Sequence, residues 1–143
     1  MIDILKVQQI VREAAKLFVD RQAANQIKVK GKYDFVTAVD EAVQGFMKKE
    51  LENLYPEISF MGEEDQETKT DLDGFVWVLD PVDGTTNLIH DYKTSAISLG
   101  LMKDREVITG IIFDPYLDEM YWAEKDKGSY LNGERIFVSD AKT

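Results

Sequence analysis

The repeat of the apolar residues changes partway along this chain, and that change constrains the fold more than any other feature. From Ile2 to about Ala24, the residues Val7, Ile10, Val11, Ala14, Leu17 and Phe18 recur at spacings of one, three and four, which predicts an amphipathic helix. Gly31 and its flanking lysines interrupt the pattern. Val39, Val43, Phe46, Met47, Leu51 and Leu54 then repeat it, predicting a second helix that Tyr55-Pro56 closes. Thr37-Ala38-Val39-Asp40 matches a capping box with Asp in place of the usual Glu, and it is taken as the opening of this helix. Beyond Pro56 the runs become short, β-branched and aromatic: Ile58 to Met61, Phe75 to Leu79, Ser95 to Met102, Val107 to Phe113, Met120 to Ala123 and Ile136 to Val138. These read as strands. Lys103-Asp104-Arg105, Asp114-Pro115, Asp126-Lys127-Gly128 and Asn132-Gly133 are short turn-like joints, so the later strands should pair as antiparallel hairpins. The expected architecture is α+β, two N-terminal helices packed on a mainly antiparallel β-sheet in one domain over residues 1–143.

At 143 residues the chain is long enough to bury a core without a covalent staple, and with no cysteine it has none. Disulfides, thiol nucleophiles and cysteine-based metal sites are thereby excluded. A single histidine, His90, rules out multi-histidine cages. The N-terminus carries an early acid and no bounded apolar core, so no signal peptide is expected. The apolar run Phe75 to Leu79 is far short of the roughly 20 residues of a membrane span. A soluble, cytoplasmic protein is the expectation. With 17 basic against 27 acidic side chains, the net charge of −10 argues against nucleic acid or an anionic membrane as partner. It does not exclude a small phosphate, because carboxylates that hold a divalent cation turn a negative cleft into a phosphate-binding one. The acidic run from Glu63 to Asp73 reads as a solvated loop. Asp71-Leu72-Asp73-Gly74 only superficially resembles a calcium loop, since Lys69 occupies the position where an acid is needed.

The stretch Trp77-Val78-Leu79-Asp80-Pro81-Val82-Asp83-Gly84-Thr85-Thr86-Asn87 carries the chemistry. Asp-Pro and Asp-Gly are ordinary turn signals, and a plain strand-ending turn is the alternative reading. A turn needs one acid, however. Two acids flanking a rigid proline would place two carboxylates and the Val82 carbonyl on one side of a tight bend, as a hard cation requires. Gly84 would let the backbone approach a ligand, and Thr85, Thr86 and Asn87 are residue types that open a helix, whose free N–H groups would face an anion. Asp40 at a helix start, Glu63 at a strand end, and Asp80 and Asp83 at another could be aimed into one cleft. His90 reads as a surface or supporting residue, and Trp77 and Trp122 as core.

With these motifs in order, joined by Asp34-Phe35-Val36-Thr37-Ala38-Val39-Asp40, Gly62-Glu63-Glu64 and Gly128-Ser129-Tyr130-Leu131-Asn132-Gly133, the chain resembles the inositol monophosphatase family of magnesium-dependent, lithium-sensitive phosphatases along its whole length. The resemblance implies the N-terminal half of a layered α/β/α/β/α sugar-phosphatase fold, with family members continuing beyond the position of Ser139 into a second α/β half. It implies magnesium, two or three ions, with lithium inhibitory. Glu63, Asp80 and the Val82 carbonyl would hold the first ion, and Asp80 and Asp83 would begin the second site. Thr85, paired with Asp40, would orient the attacking water, with Glu63 in the catalytic set, and the N–H groups of Gly84 and Thr85 would bind phosphate oxygens. The implied substrate is a small phosphorylated polyol or sugar, an inositol phosphate above all, and the complete protein would be a homodimer. A fructose-1,6-bisphosphatase, a nucleotide 3′-phosphatase or a non-catalytic metal-binding module are the alternatives. Leu88 and Asp91-Tyr92-Lys93, which depart from the family pattern, fall at the expected substrate rim. Without the second half, the chain should be a poor phosphatase with one sheet face uncovered and a tendency to self-associate.

Overall fold

A computed structural model describes residues 2–19, 32–62, 73–84, 88 and 93–140. Two helices, α1 (Ile4–Val19) and α2 (Lys32–Leu54), precede seven strands: β1 (Ser59–Gly62), β2 (Phe75–Asp83), β3 (Ala96–Lys103), β4 (Glu106–Asp114), β5 (Glu119–Glu124), β6 (Gly128–Leu131) and β7 (Glu134–Ile136). The strands form one sheet in sequence order. β1 lies parallel to β2, and every later pair is antiparallel. The α+β architecture read from the periodicity is the one observed. Among the described residues no helix is long and apolar enough to cross a membrane.

Asp3 starts α1. Its carboxylate accepts hydrogen bonds from the N–H groups of Leu5 at 3.1 Å and Lys6 at 3.3 Å, satisfying two donors that the first turn leaves open. The apolar stripe Val7, Val11 and Ala14 is fully buried, and so is the four-residue ladder Val39, Val43, Met47 and Leu51 of α2. Both stripes pack on one face of the sheet, against Trp77, Leu79, Ile97, Leu99, Leu101, Ile111, Phe113 and Met120. Trp77 is core, as expected. Trp122 is only partly buried and stacks on Tyr130 with ring centroids 4.3 Å apart.

Three boundaries differ from the sequence reading, and the end of the first helix is not among them. The described part of α1 ends at Val19, and the remainder of the run to Ala24 lies outside the described residues. α2 begins at Lys32, so Thr37-Ala38-Val39-Asp40 is not its cap and Asp40 sits well inside the helix. Between Gly31 and Thr37 there is no glycine or proline to stop the helix propagating backwards, and a capping-box match has no force where the preceding residues are themselves helix-competent. β2 does not stop at Leu79 but runs on to Asp83. The last pair, β6 and β7, turns at Asn132-Gly133, both left-handed with φ of 49° and 86°, which leaves Phe137 and Val138 beyond the sheet and exposed.

Candidate active site on the β2 bulge

β1 and β2 run parallel, so their carboxyl ends lie at the same end of the sheet. Gly62 closes β1 opposite Leu79, and the next residue of β2 is Asp80. Crevices at the carboxyl ends of parallel strands are common ligand sites in sheet proteins. Beyond Leu79, β3 is the strand that pairs with β2 among the described residues, and there the register slips: Asp80 faces Ser98 and Asp83 faces Ala96. Three steps on β2 therefore match two on β3, which is a β-bulge. Pro81 and Val82 have no register partner within it. This is also where a proline, lacking an N–H, can sit in a sheet.

The bulge has a geometric consequence that a turn would not. In a regular strand, residues three apart point to opposite faces. The extra residue reverses that parity, and because Ser98 and Ala96 share a face of β3, Asp80 and Asp83 share the same face of β2. The tight bend expected between the two acids is thus replaced by a bulged, extended strand. The expected outcome, two carboxylates on one side, is retained by another device. Asp80 is half-buried and Asp83 exposed.

Gly84 follows with φ of +90°, a left-handed conformation that favours glycine. Its carbonyl is fixed twice, by the Ser95 hydroxyl at 2.8 Å and by the Leu88 N–H at 3.1 Å. Ser95, buried at 5% exposure, does not stand out in the sequence, where a lone serine ahead of a strand carries no signal. A small cleft of about 250 Å³ opens beside the bulge, lined by Asp83, Gly84, Thr94, Ser95, Ala96 and Asp114. The Asp114 carboxylate is engaged by the N–H groups of Tyr116 and Leu117 and serves the turn after β4.

Of the residues singled out for chemistry, Asp80, Val82, Asp83 and Gly84 are brought together on the bulge, and Asp40 is buried at 8% exposure on α2. Glu63 and Thr85 lie outside the described residues, as do Glu64, Thr86, Asn87 and His90. Among the described residues no three acidic or histidine side chains form a group able to hold a metal. The donors on the bulge do fit magnesium in kind. Two carboxylates on one face and a main-chain carbonyl outside the ladder register are all hard oxygen ligands.

The outer face of the sheet, away from the helices, carries a trough of about 930 Å³. Val78, Gly100, Gly110, Ala123 and Ser129 stand opposite one another in register across five strands and form its floor.

Comparison with known proteins identifies the family. The sequence profile described as the inositol monophosphatase family matches residues 3–143. An inositol-1-monophosphatase of Rhizobium meliloti (strain 1021) is 36% identical over 117 residues, which cover 82% of this chain and 44% of the relative. A fructose-1,6-bisphosphatase/inositol-1-monophosphatase of Aquifex aeolicus (strain VF5) is 38% identical, covering 80% of this chain and 43% of the relative. The solved structure of a Thermotoga maritima IMPase superposes with a TM-score of 0.80 at 30% identity, covering 97% of this chain and 55% of that one. The chain spans about half the length of the relatives it matches. Profile, pairwise identity and backbone agree, and by them the chain belongs to the inositol monophosphatase family.

Proposed function

We propose that this chain is the metal-holding N-terminal half of a magnesium-dependent phosphomonoesterase that hydrolyses an inositol phosphate or a similar sugar or polyol phosphate. The observation that carries the reading is the parity reversal between Asp80 and Asp83, which gives one face of β2 two carboxylates at the carboxyl end of a parallel strand pair. Glu63, Asp80, Val82 and Asp83 would hold the ions, and Gly84 and Thr85 would offer N–H groups to the phosphate. When bound, magnesium supplies charge to neutralise the phosphoryl oxygens and lowers the pKa of an attacking water. Asp40, buried on α2, would accept a hydrogen bond from Thr85 and so set the direction in which the threonine hydroxyl holds that water. The Ser95 hydroxyl fixes the Gly84 carbonyl, and a main chain held in this way would keep its peptide dipoles oriented for phosphoryl transfer. Lithium inhibition, a cytoplasmic setting and a homodimer of the complete protein belong to the same reading.

The double name of the Aquifex aeolicus relative favours fructose-1,6-bisphosphate as a second substrate. The test is phosphate release from inositol 1-phosphate and fructose-1,6-bisphosphate, with and without magnesium, by a complete, two-half version of the protein as the parent and by its Asp80→Asn variant. The change should remove the magnesium-dependent rate, a loss of several kcal/mol of transition-state stabilisation, roughly 10³-fold or more. The 143-residue chain alone should turn over poorly, because the ligands and substrate contacts of a second half are needed. Equal magnesium-dependent rates for parent and Asp80→Asn overturn the reading.

A further inference from the structure

Gly62, the last residue of β1, has no room for a side chain. A β-carbon there would overlap the amide of Gln44, whose Oε1, Cδ and Nε2 all lie over the Gly62 α-carbon. Gln44 is on α2 one helical turn after Asp40, and its Oε1 is buried although the residue as a whole is only half-buried. Gly62 in turn stands opposite Leu79, the residue before Asp80. The flat amide of Gln44 is therefore wedged where three candidate groups are one step away: Asp40 along the helix, Glu63 along the chain, and Asp80 across the strand pair.

A neutral amide suits this position. It has both a donor and two acceptor lone pairs, so it can order polar neighbours without adding another charge to a region already rich in carboxylates. Its fit also explains the glycine. A β-carbon at position 62 would push the end of the Gln44 side chain aside and take its buried oxygen out of place.

We propose that Gln44 is a positioning residue of the metal site: its amide, packed on Gly62, fixes the exit of β1 relative to α2 and thereby sets the affinity for magnesium. This rests on the metal-site reading given above. Partners that orient metal ligands without touching the metal commonly change affinity by about 10–100-fold when removed.

The experiment is calorimetric titration of the 143-residue chain with magnesium alone, with thermal unfolding followed in parallel by circular dichroism. Gln44→Leu and Gly62→Ala should each weaken magnesium binding by about tenfold or more. The two effects should not multiply in the double variant, because both act through one contact. Gln44→Met keeps the length without the polar atoms. The proposal requires it to behave like Gln44→Leu, and a Met variant that binds as the parent does overturns it. Lower melting temperatures with unchanged magnesium affinity in Gln44→Leu, or fully multiplicative effects in the double variant, also overturn it. Glu63→Gln separates the two readings. If Glu63→Gln weakens binding while Gln44→Leu does not, the positioning role fails alone. If the parent chain binds no magnesium, or Glu63→Gln binds as the parent does, the metal-site reading fails and the role of Gln44 with it.

Discussion

The two faces of the sheet are built from the same strands and have different physical characters. On the helix side, Leu79, Ile97, Leu99, Leu101, Ile111 and Met120 are at most 2% exposed and interlock with the stripes of α1 and α2. On the outer side, small residues such as Ser98, Gly100, Gly110 and Ala123 are interspersed with Val78, Met102 and Tyr121, and Ile112 is 48% exposed. One face therefore holds the fold together, while the other presents a surface. The acids of the bulge belong to the presenting side, in register with Ser98 and Ala96. A site placed there can be changed chemically at small cost to folding, which is the usual arrangement when function sits on a rigid scaffold.

The contrast can be broken most directly by truncating one side chain on each face. Leu101→Ala should destabilise the chain by about 2–5 kcal/mol, by lost transfer energy and a residual cavity, whereas Ile112→Ala should cost no more than about 1 kcal/mol. Urea unfolding of both variants measures the gap, and equal losses would mean that the outer face contributes to folding as much as the inner one does. The outer strands, far from the helices, should lean instead on hydrogen bonds. Asn132 accepts from the Met120 N–H at 2.8 Å and donates to the Asp118 carbonyl at 3.1 Å, tying the β6–β7 turn to the start of β5. Asn132→Ala should cost about 1–3 kcal/mol in the same assay, since it leaves a buried strand N–H without its acceptor and puts alanine, which tolerates the left-handed region less well than asparagine, at positive φ.

Two smaller effects sharpen the comparison from the helix side. Asp3→Ala should remove about 1 kcal/mol by uncapping α1. Gly45→Ala should add up to about 1 kcal/mol, because Gly45 lies on the exposed side of α2 with open space where a β-carbon would go. The smallest effect is on the outer face. The Tyr121 hydroxyl donates to Glu119 at 2.5 Å, and that bond, with burial and the nearby negative charge of Glu119 and Asp114, raises the phenol above its ordinary value of 10.0. A folded-state pKa above the unfolded one gives stability that is present below about pH 10 and lost as pH rises through the raised value. Ultraviolet titration should show one high-titrating tyrosine that disappears in Tyr121→Phe.

Much of the scaffold is legible because its signals are local. The four-residue ladder of α2 and the alternating strands record burial directly in the sequence, and Tyr55-Pro56 marks a helix end within one residue. The capping motif misplaces the start of α2, because the absence of a breaker before it outweighs the motif. β6 reads as a turn because Gly128, Ser129, Tyr130 and Leu131 make a strand of only four residues between two turn signals. The bulge cannot be read locally. Asp-Pro-Val-Asp-Gly favours a turn, and it is held extended by β3, whose register is set by residues far along the chain. The roles given to Asp40, Glu63 and Thr85 come from family resemblance, while the placement of Asp80 beside Asp83 has a cause visible in the structure.

The bulge also separates two kinds of genetic change. Substituting Pro81 or Val82 leaves the number of residues between the two acids unaltered, so parity survives most point changes. Deleting either one restores a regular ladder with the acids two apart and still on one face, whereas deleting both makes them neighbours and sends Asp80 and Asp83 to opposite faces, although every candidate carboxylate is still encoded. Removing both codons should therefore abolish a paired-carboxylate site that either single deletion, or any substitution of the two residues, leaves on one face, because what is stored there is a count and not an identity.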